Sequence, residues 1–164
     1  MRPQDVVILL KISTSQEKDW FGKDLAKTLF ISPSEVSESL NRSVFASLLD
    51  GNKRTLMRKS FLEFLEYGLK YVFPTEPGSV VRGMPTAHSS SPLNEIIQSQ
   101  ETYVWPDALG KIRGQSIVPL YPGVVRAAKL DTKLYELLSL TDAIRIGKAR
   151  ERNLAMKQLQ NRIG

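Results

Sequence analysis

His88 is the only histidine in the chain, and it stands in the run Thr86-Ala87-His88-Ser89-Ser90. A histidine beside serines could serve as the base for a nucleophilic hydroxyl, but that chemistry needs an acid to orient the ring. No acid lies nearby in sequence, so His88 reads as a hydrogen-bonded loop residue. Cysteine is absent, which removes disulfides, thiolate metal sites and a thiol nucleophile. A single histidine also excludes a His-rich metal site. No Gly-rich, phosphate-cradling loop ends in Lys-Ser/Thr, and the carboxylates are scattered without a paired arrangement. The expectation is a protein that is not an enzyme, with no catalytic residue, no metal and no cofactor.

The polar groups that could do chemistry instead lie in the run Leu25-Ala26-x-x-Leu29-x-Ile31-Ser32-Pro33-Ser34-x-Val36-Ser37. Two short helices crossing steeply need a small residue at the approach, here Ala26, and an apolar plug under the turn, here Ile31. Ser32 can cap the second helix, with Pro33 at its first position and Glu35 completing a capping box. Val36, Leu40, Val44 and Leu48 recur every four residues and mark its buried stripe. That leaves Ser32, Ser34, Ser37, Glu38 and Asn41 outward, as short polar groups able to meet base edges in a major groove. Arg42, Lys53, Arg54, Arg58 and Lys59 would flank them and pair with phosphates.

The same run, residues 25–42, resembles the winged helix-turn-helix of bacterial transcription regulators, most closely the MarR-like group. Two departures stand out. Phe30 occupies the position where a turn glycine is usual, which implies a longer or differently shaped turn. Only residues 50–56 are available for a β-hairpin wing, so any wing is short or absent. The resemblance implies a homodimer bound to duplex DNA at a symmetric operator, with residues 3–12 and 131–162 forming the dimer interface.

The positioning elements follow from the pattern. Residues 3–12 read as a first helix, although a short apolar run can also be a buried strand. Helices are expected at 20–29, 33–49, with Gly51 as the left-handed stop, and 57–72. In the last, Phe61, Phe64, Leu65, Gly68, Leu69 and Val72 line one face. Residues 73–92 are looped or extended, 92–101 form a short helix, and 102–124 are extended again. Asp131 caps a terminal helical region in which Leu134, Leu137, Leu138, Thr141 and Ile144 form a stripe, and Gly147 bends the last helix. The fold class is mainly α: a winged-helix-like helix-turn-helix domain over 1–73, an extended Pro/Gly-rich segment over 74–130, and a basic helical region over 131–164.

The middle segment contains an echo. Val72-Phe73-Pro74…Gly78…Arg82-Gly83-x-Pro85 returns 32 residues later as Val104-Trp105-Pro106…Gly110…Arg113-Gly114. Two matching units suggest two similar arms, each anchored by its aromatic residue. Arg82 and Arg113 could enter a minor groove, fork onto a partner's carboxylates, or pair with acids inside the chain and fix a long loop. The two stretches also resemble small bacterial helix-turn-helix proteins encoded beside toxin-like genes. That likeness implies an alternative role: an antitoxin-like module that binds a partner protein encoded nearby and autoregulates its operon.

Composition sets the outer bounds. The 164 residues are 41% hydrophobic and 24% charged, ordinary globular usage that excludes wholesale disorder. The net charge is +6, and residues 141–164 supply most of it, with 6 basic and 2 acidic residues. Such a tail is either a solvated face or a contact for DNA or an acidic partner, with Arg145, Lys148, Arg150 and Arg152 foremost. No apolar run approaches the roughly 20 residues that span a bilayer, and Asp5 interrupts any signal-peptide layout. A cytoplasmic protein without membrane contact is expected.

Overall fold

The computed structural model describes residues 1–15 and 20–164. Among these it contains eight α-helices and three short strands: α1 Pro3–Thr14, α2 Gly22–Leu29, α3 Pro33–Phe45, α4 Arg58–Tyr67, α5 Leu69–Val72, β1 Val80–Pro85, β2 Tyr103–Pro106, β3 Ile112–Ser116, α6 Val124–Leu130, α7 Thr132–Ile146 and α8 Ala149–Ile163. Helix dominates, but the sheet makes the architecture mixed rather than purely α. Gln16 to Asp19, the end of the loop expected after the first helix, lie outside the described residues.

The apolar run at residues 6–10 is helical, and all five residues are fully buried. A helix apolar on every side has to lie inside, and α1 does, packed against α3 and α7. α7 is buried without a break from Leu137 to Arg145, with Leu134 buried one turn earlier. One hydrophobic core takes residues from α1, α2, α3, α4, α6, α7 and α8 together. The expected dimer interface on residues 3–12 and 131–162 is therefore corrected for α1 and α7: these helices spend their apolar faces within their own chain.

Several boundaries also differ from expectation. α3 stops at Phe45 rather than at residue 49, and Ser47, not Gly51, takes the left-handed conformation (φ 59°). The region 92–101 holds only a single 3-10 turn, Leu93–Glu95. α6 falls at the end of the stretch read as extended. Gly147 separates α7 from α8 as a break in extended conformation, not a bend. No helix among the described residues is long and apolar enough to cross a membrane.

The two echoed units meet in the sheet. β1 pairs antiparallel with β3 along residues 80–83 and with β2 along 83–85, while β2 and β3 pair in parallel. Each strand thus bonds to both others and the ring closes. Closure at so small a radius requires glycine: a Cβ on Gly83 would collide with the Trp105 carbonyl oxygen, and one on Gly114 would fall 2.6 Å from that of Thr102.

α7 holds the ring through a buried ion pair. Arg145 donates from Nε to the Phe73 carbonyl at 2.9 Å, and from Nη1 to the Val118 carbonyl at 3.1 Å and to Asp142 Oδ1 at 2.9 Å. Asp142 Oδ2 accepts from Thr86 Oγ1 at 2.7 Å and from Trp105 Nε1 at 2.6 Å. Arg145 thus holds the start of the first unit and the chain four residues past the second, while Asp142 holds the residue after the first unit and the start of the second. Burial pushes the Asp142 carboxyl above its ordinary pKa, against the pull of Arg145, Thr86 and Trp105.

Candidate nucleic-acid interface

α2 and α3 meet through Leu25, Ala26, Leu29, Ile31, Val36 and Leu40, all buried. The residue between the helices, Phe30, adopts the left-handed conformation itself (φ 57°, ψ 41°). The turn is therefore short and keeps the left-handed shape usual for glycine, where the missing glycine implied a longer or differently shaped one. A non-glycine residue there costs on the order of 1 kcal/mol and persists only when its surroundings hold it. They do. Tyr121 donates its hydroxyl to the carbonyls of both Leu29 and Phe30, and the Arg126 guanidinium lies 3.8 Å from the centroid of the Phe30 ring.

Ser32 caps α3, its Oγ accepting from the Glu35 amide at 3.2 Å. The reciprocal half of the capping box is absent, because the Glu35 carboxylate turns to Arg42, Gln4 and Arg2. Downstream, Ser34, Ser37, Glu38 and Asn41 are exposed, while Val36, Ser39, Leu40 and Ser43 are buried. The spacing 34, 37, 38, 41 puts four short polar side chains on one solvent-facing stripe.

Arg42 is corrected as a phosphate contact. Its guanidinium grips Asp5 through Nε and Nη2, at 2.9 and 2.7 Å, and Glu35 Oε1 at 2.5 Å. This clamp locks α3 onto α1. Burial alone would push the Asp5 carboxyl up, but bonds from Arg42 and the Arg2 amide outweigh it and hold it below its ordinary value. Arg42 holds Glu35 down in the same way.

The segment that would form a wing is a minimal hairpin closed by one bridge, Leu49–Leu56. Asp50 Oδ1 accepts from the amides of Arg54 and Thr55, each at 2.7 Å. Lys53 takes positive φ at the tip. Arg54 spends one nitrogen on the Trp20 carbonyl at 2.8 Å and lies 5.5 and 5.7 Å from the Trp20 and Phe21 rings, yet remains exposed. Lys59 is exposed on α4. Arg58 instead donates to the carbonyl of Ile163 at 2.6 Å and ties α4 to α8.

The remaining sequence candidates separate clearly. Arg82, Arg113, Lys148 and Arg150 are exposed, and Arg152 lines a groove with Tyr67 and Tyr71. Arg145 is 6% exposed and fully committed inside, which corrects it as a partner contact. His88 donates from Nε2 to the Glu101 carbonyl at 2.8 Å and packs edge-on against Tyr103; neither neighbouring serine bonds to the ring. Arg126 was missed by sequence reasoning, and only knowledge of the Phe30 conformation could have pointed to it.

No protein-family model matches the chain, and neither the curated proteins nor the solved structures give a match.

Proposed function

We propose that the protein binds duplex DNA through α3 and regulates transcription. Ser32, Ser34, Ser37, Glu38 and Asn41 contact base edges in the major groove, and Lys53, Arg54, Lys59 and Arg126 contact phosphates. The observation that carries this reading is the α3 stripe: four short polar residues stay exposed on a helix whose opposite side is buried and ion-paired to α1. The surplus of 23 basic over 17 acidic residues supports an anionic partner. A symmetric, dimeric arrangement would need a surface other than α1 or α7.

The test is a gel shift with the DNA upstream of the protein's own gene and a scrambled duplex. Asn41→Ala should erase the difference between the two duplexes while leaving scrambled-duplex binding in place, since base contacts carry discrimination and phosphate contacts carry affinity. Wild-type protein that shifts neither duplex would sink the reading.

A second reading, an antitoxin-like module that holds a partner protein, is supported by exposed aromatic surface. Phe45 is 94% exposed, and Tyr67 and Tyr71 are 69% and 75% exposed. Surface of this kind is enriched at protein interfaces. Under this reading, Tyr67→Ser with Tyr71→Ser abolishes a stoichiometric complex with the co-expressed neighbouring gene product and leaves DNA binding unchanged.

A further inference from the structure

We propose that Arg82 and Arg113 form a single phosphate-binding site, occupied by the phosphodiester backbone of duplex DNA; the choice of occupant rests on the function proposed above. The two residues are Cα partners in the antiparallel β1–β3 register. Directly opposed residues in such a pair project to the same face, with Cβ atoms about 5 Å apart. Two like charges there destabilise the strand pair unless something neutralises them.

Nothing in the described residues does. Neither arginine takes part in an ion pair or a side-chain hydrogen bond among them, whereas Lys129 and Asp107 beside the sheet pair with each other at 2.6 Å. Both guanidiniums are exposed. The local sequences, Val-Val-Arg-Gly-Met-Pro and Lys-Ile-Arg-Gly-Gln-Ser, hold three cations and no carboxylate. The backbone beneath is fixed, because ring closure leaves no room for side chains at Gly83 and Gly114 and the Asp142–Arg145 pair pins both units at or near their ends. Two planar forks on a rigid base are matched to the oxygens of a phosphodiester, which accept bidentate donors.

The full-length protein and the double variants Arg82→Gln/Arg113→Gln and Arg82→Lys/Arg113→Lys are compared, with circular-dichroism melts confirming the fold. In the first arm, sodium tripolyphosphate is titrated while the arginine Nε–Hε NMR signals are followed. Two signals should shift in the wild type, and both should be missing from the glutamine variant. In the second arm, duplex affinity is measured from 50 to 200 mM salt. The glutamine variant should bind about tenfold more weakly at the low end, with its log–log salt slope reduced by roughly 1.8, and the lysine variant should keep most of the slope. Duplex binding with an unchanged slope overturns the inference and leaves the DNA reading standing. No duplex binding by the wild type overturns the DNA reading and this occupant, while tripolyphosphate shifts at the two arginines would still establish the paired site.

Discussion

The hydroxyl of Tyr121 bonds to the Phe30 carbonyl at 2.7 Å across 91 residues of sequence. It holds a phenylalanine in a conformation that most helix-joining turns give to glycine. Tyr121→Phe deletes this donor and leaves two turn carbonyls without their partner. It should cost about 1–2 kcal/mol in a chemical melt. It should also weaken binding to the specific duplex more than to a scrambled one, since α3 would no longer be held at one angle.

The Asp142–Arg145 pair should be the most sensitive polar contact in the molecule. Arg145→Met removes a buried cation, strands the Asp142 carboxylate and frees the Phe73 and Val118 carbonyls. Breaking one side of such a pair costs about 3–5 kcal/mol. The melting temperature should fall steeply. A variant that melts within a few degrees of the wild type would show that the pair does not anchor the sheet.

Stability should fall in acid. Asp5, Glu35, Asp50, Asp107 and Asp131 are all held below their ordinary pKa values. Carboxylates lowered in the folded state contribute stability that is complete above the unfolded pKa and lost as pH drops through the folded one. Asp142, raised by burial, acts in the opposite direction and offsets part of that loss. Thermal melts between pH 7 and pH 3 should show the loss beginning as pH enters the ordinary carboxylate range. Asp5→Asn should lower stability at pH 7 and flatten the profile.

Capping can be tested alone. Ser32→Ala removes the acceptor for the Glu35 amide and should cost about 1 kcal/mol. Ser34→Ala, two residues on and exposed, removes only a 3.3 Å contact between the two serine hydroxyls and spares the cap, so it should change the melt far less. If both act on DNA binding but only the first on stability, the two serines have separable roles.

The rim cations offer a last check. Lys53→Ala and Arg54→Ala should each reduce the salt slope of duplex binding by about 0.9 and weaken all sequences alike. Arg58→Ala should instead act on stability, through the lost bond to Ile163.

Much of the α-helical framework was legible because period and capping agree. Leu25, Leu29, Val36 and Leu40 announce the crossed helices, and Ser32-Pro33 fixes where the second begins. The clamp on Arg42 was not legible. A basic residue at the end of an amphipathic stripe looks solvated until α1 brings Asp5 beside it from 37 positions away. The placing of a dimer interface on α1 and α7 failed for a related reason: an apolar helix does not say whether its cover comes from the same chain or another. The echo was visible, but self-similarity gives no pairing rule, so Arg82 facing Arg113 emerged only with the register. α6 was hidden by the prolines and glycines around it, which made its apolar turns look extended.

The spread of α1, α4, α7 and α8 through one interior has a practical consequence for genetics. Lys11 pairs with Asp131, and Arg58 reaches Ile163, so a fragment stopping at Phe73 or Leu140 would lose walls from its own hydrophobic centre. Deletion scanning would score every such fragment as inactive and misassign function to whichever end was cut. Point substitutions on the intact chain are the informative route.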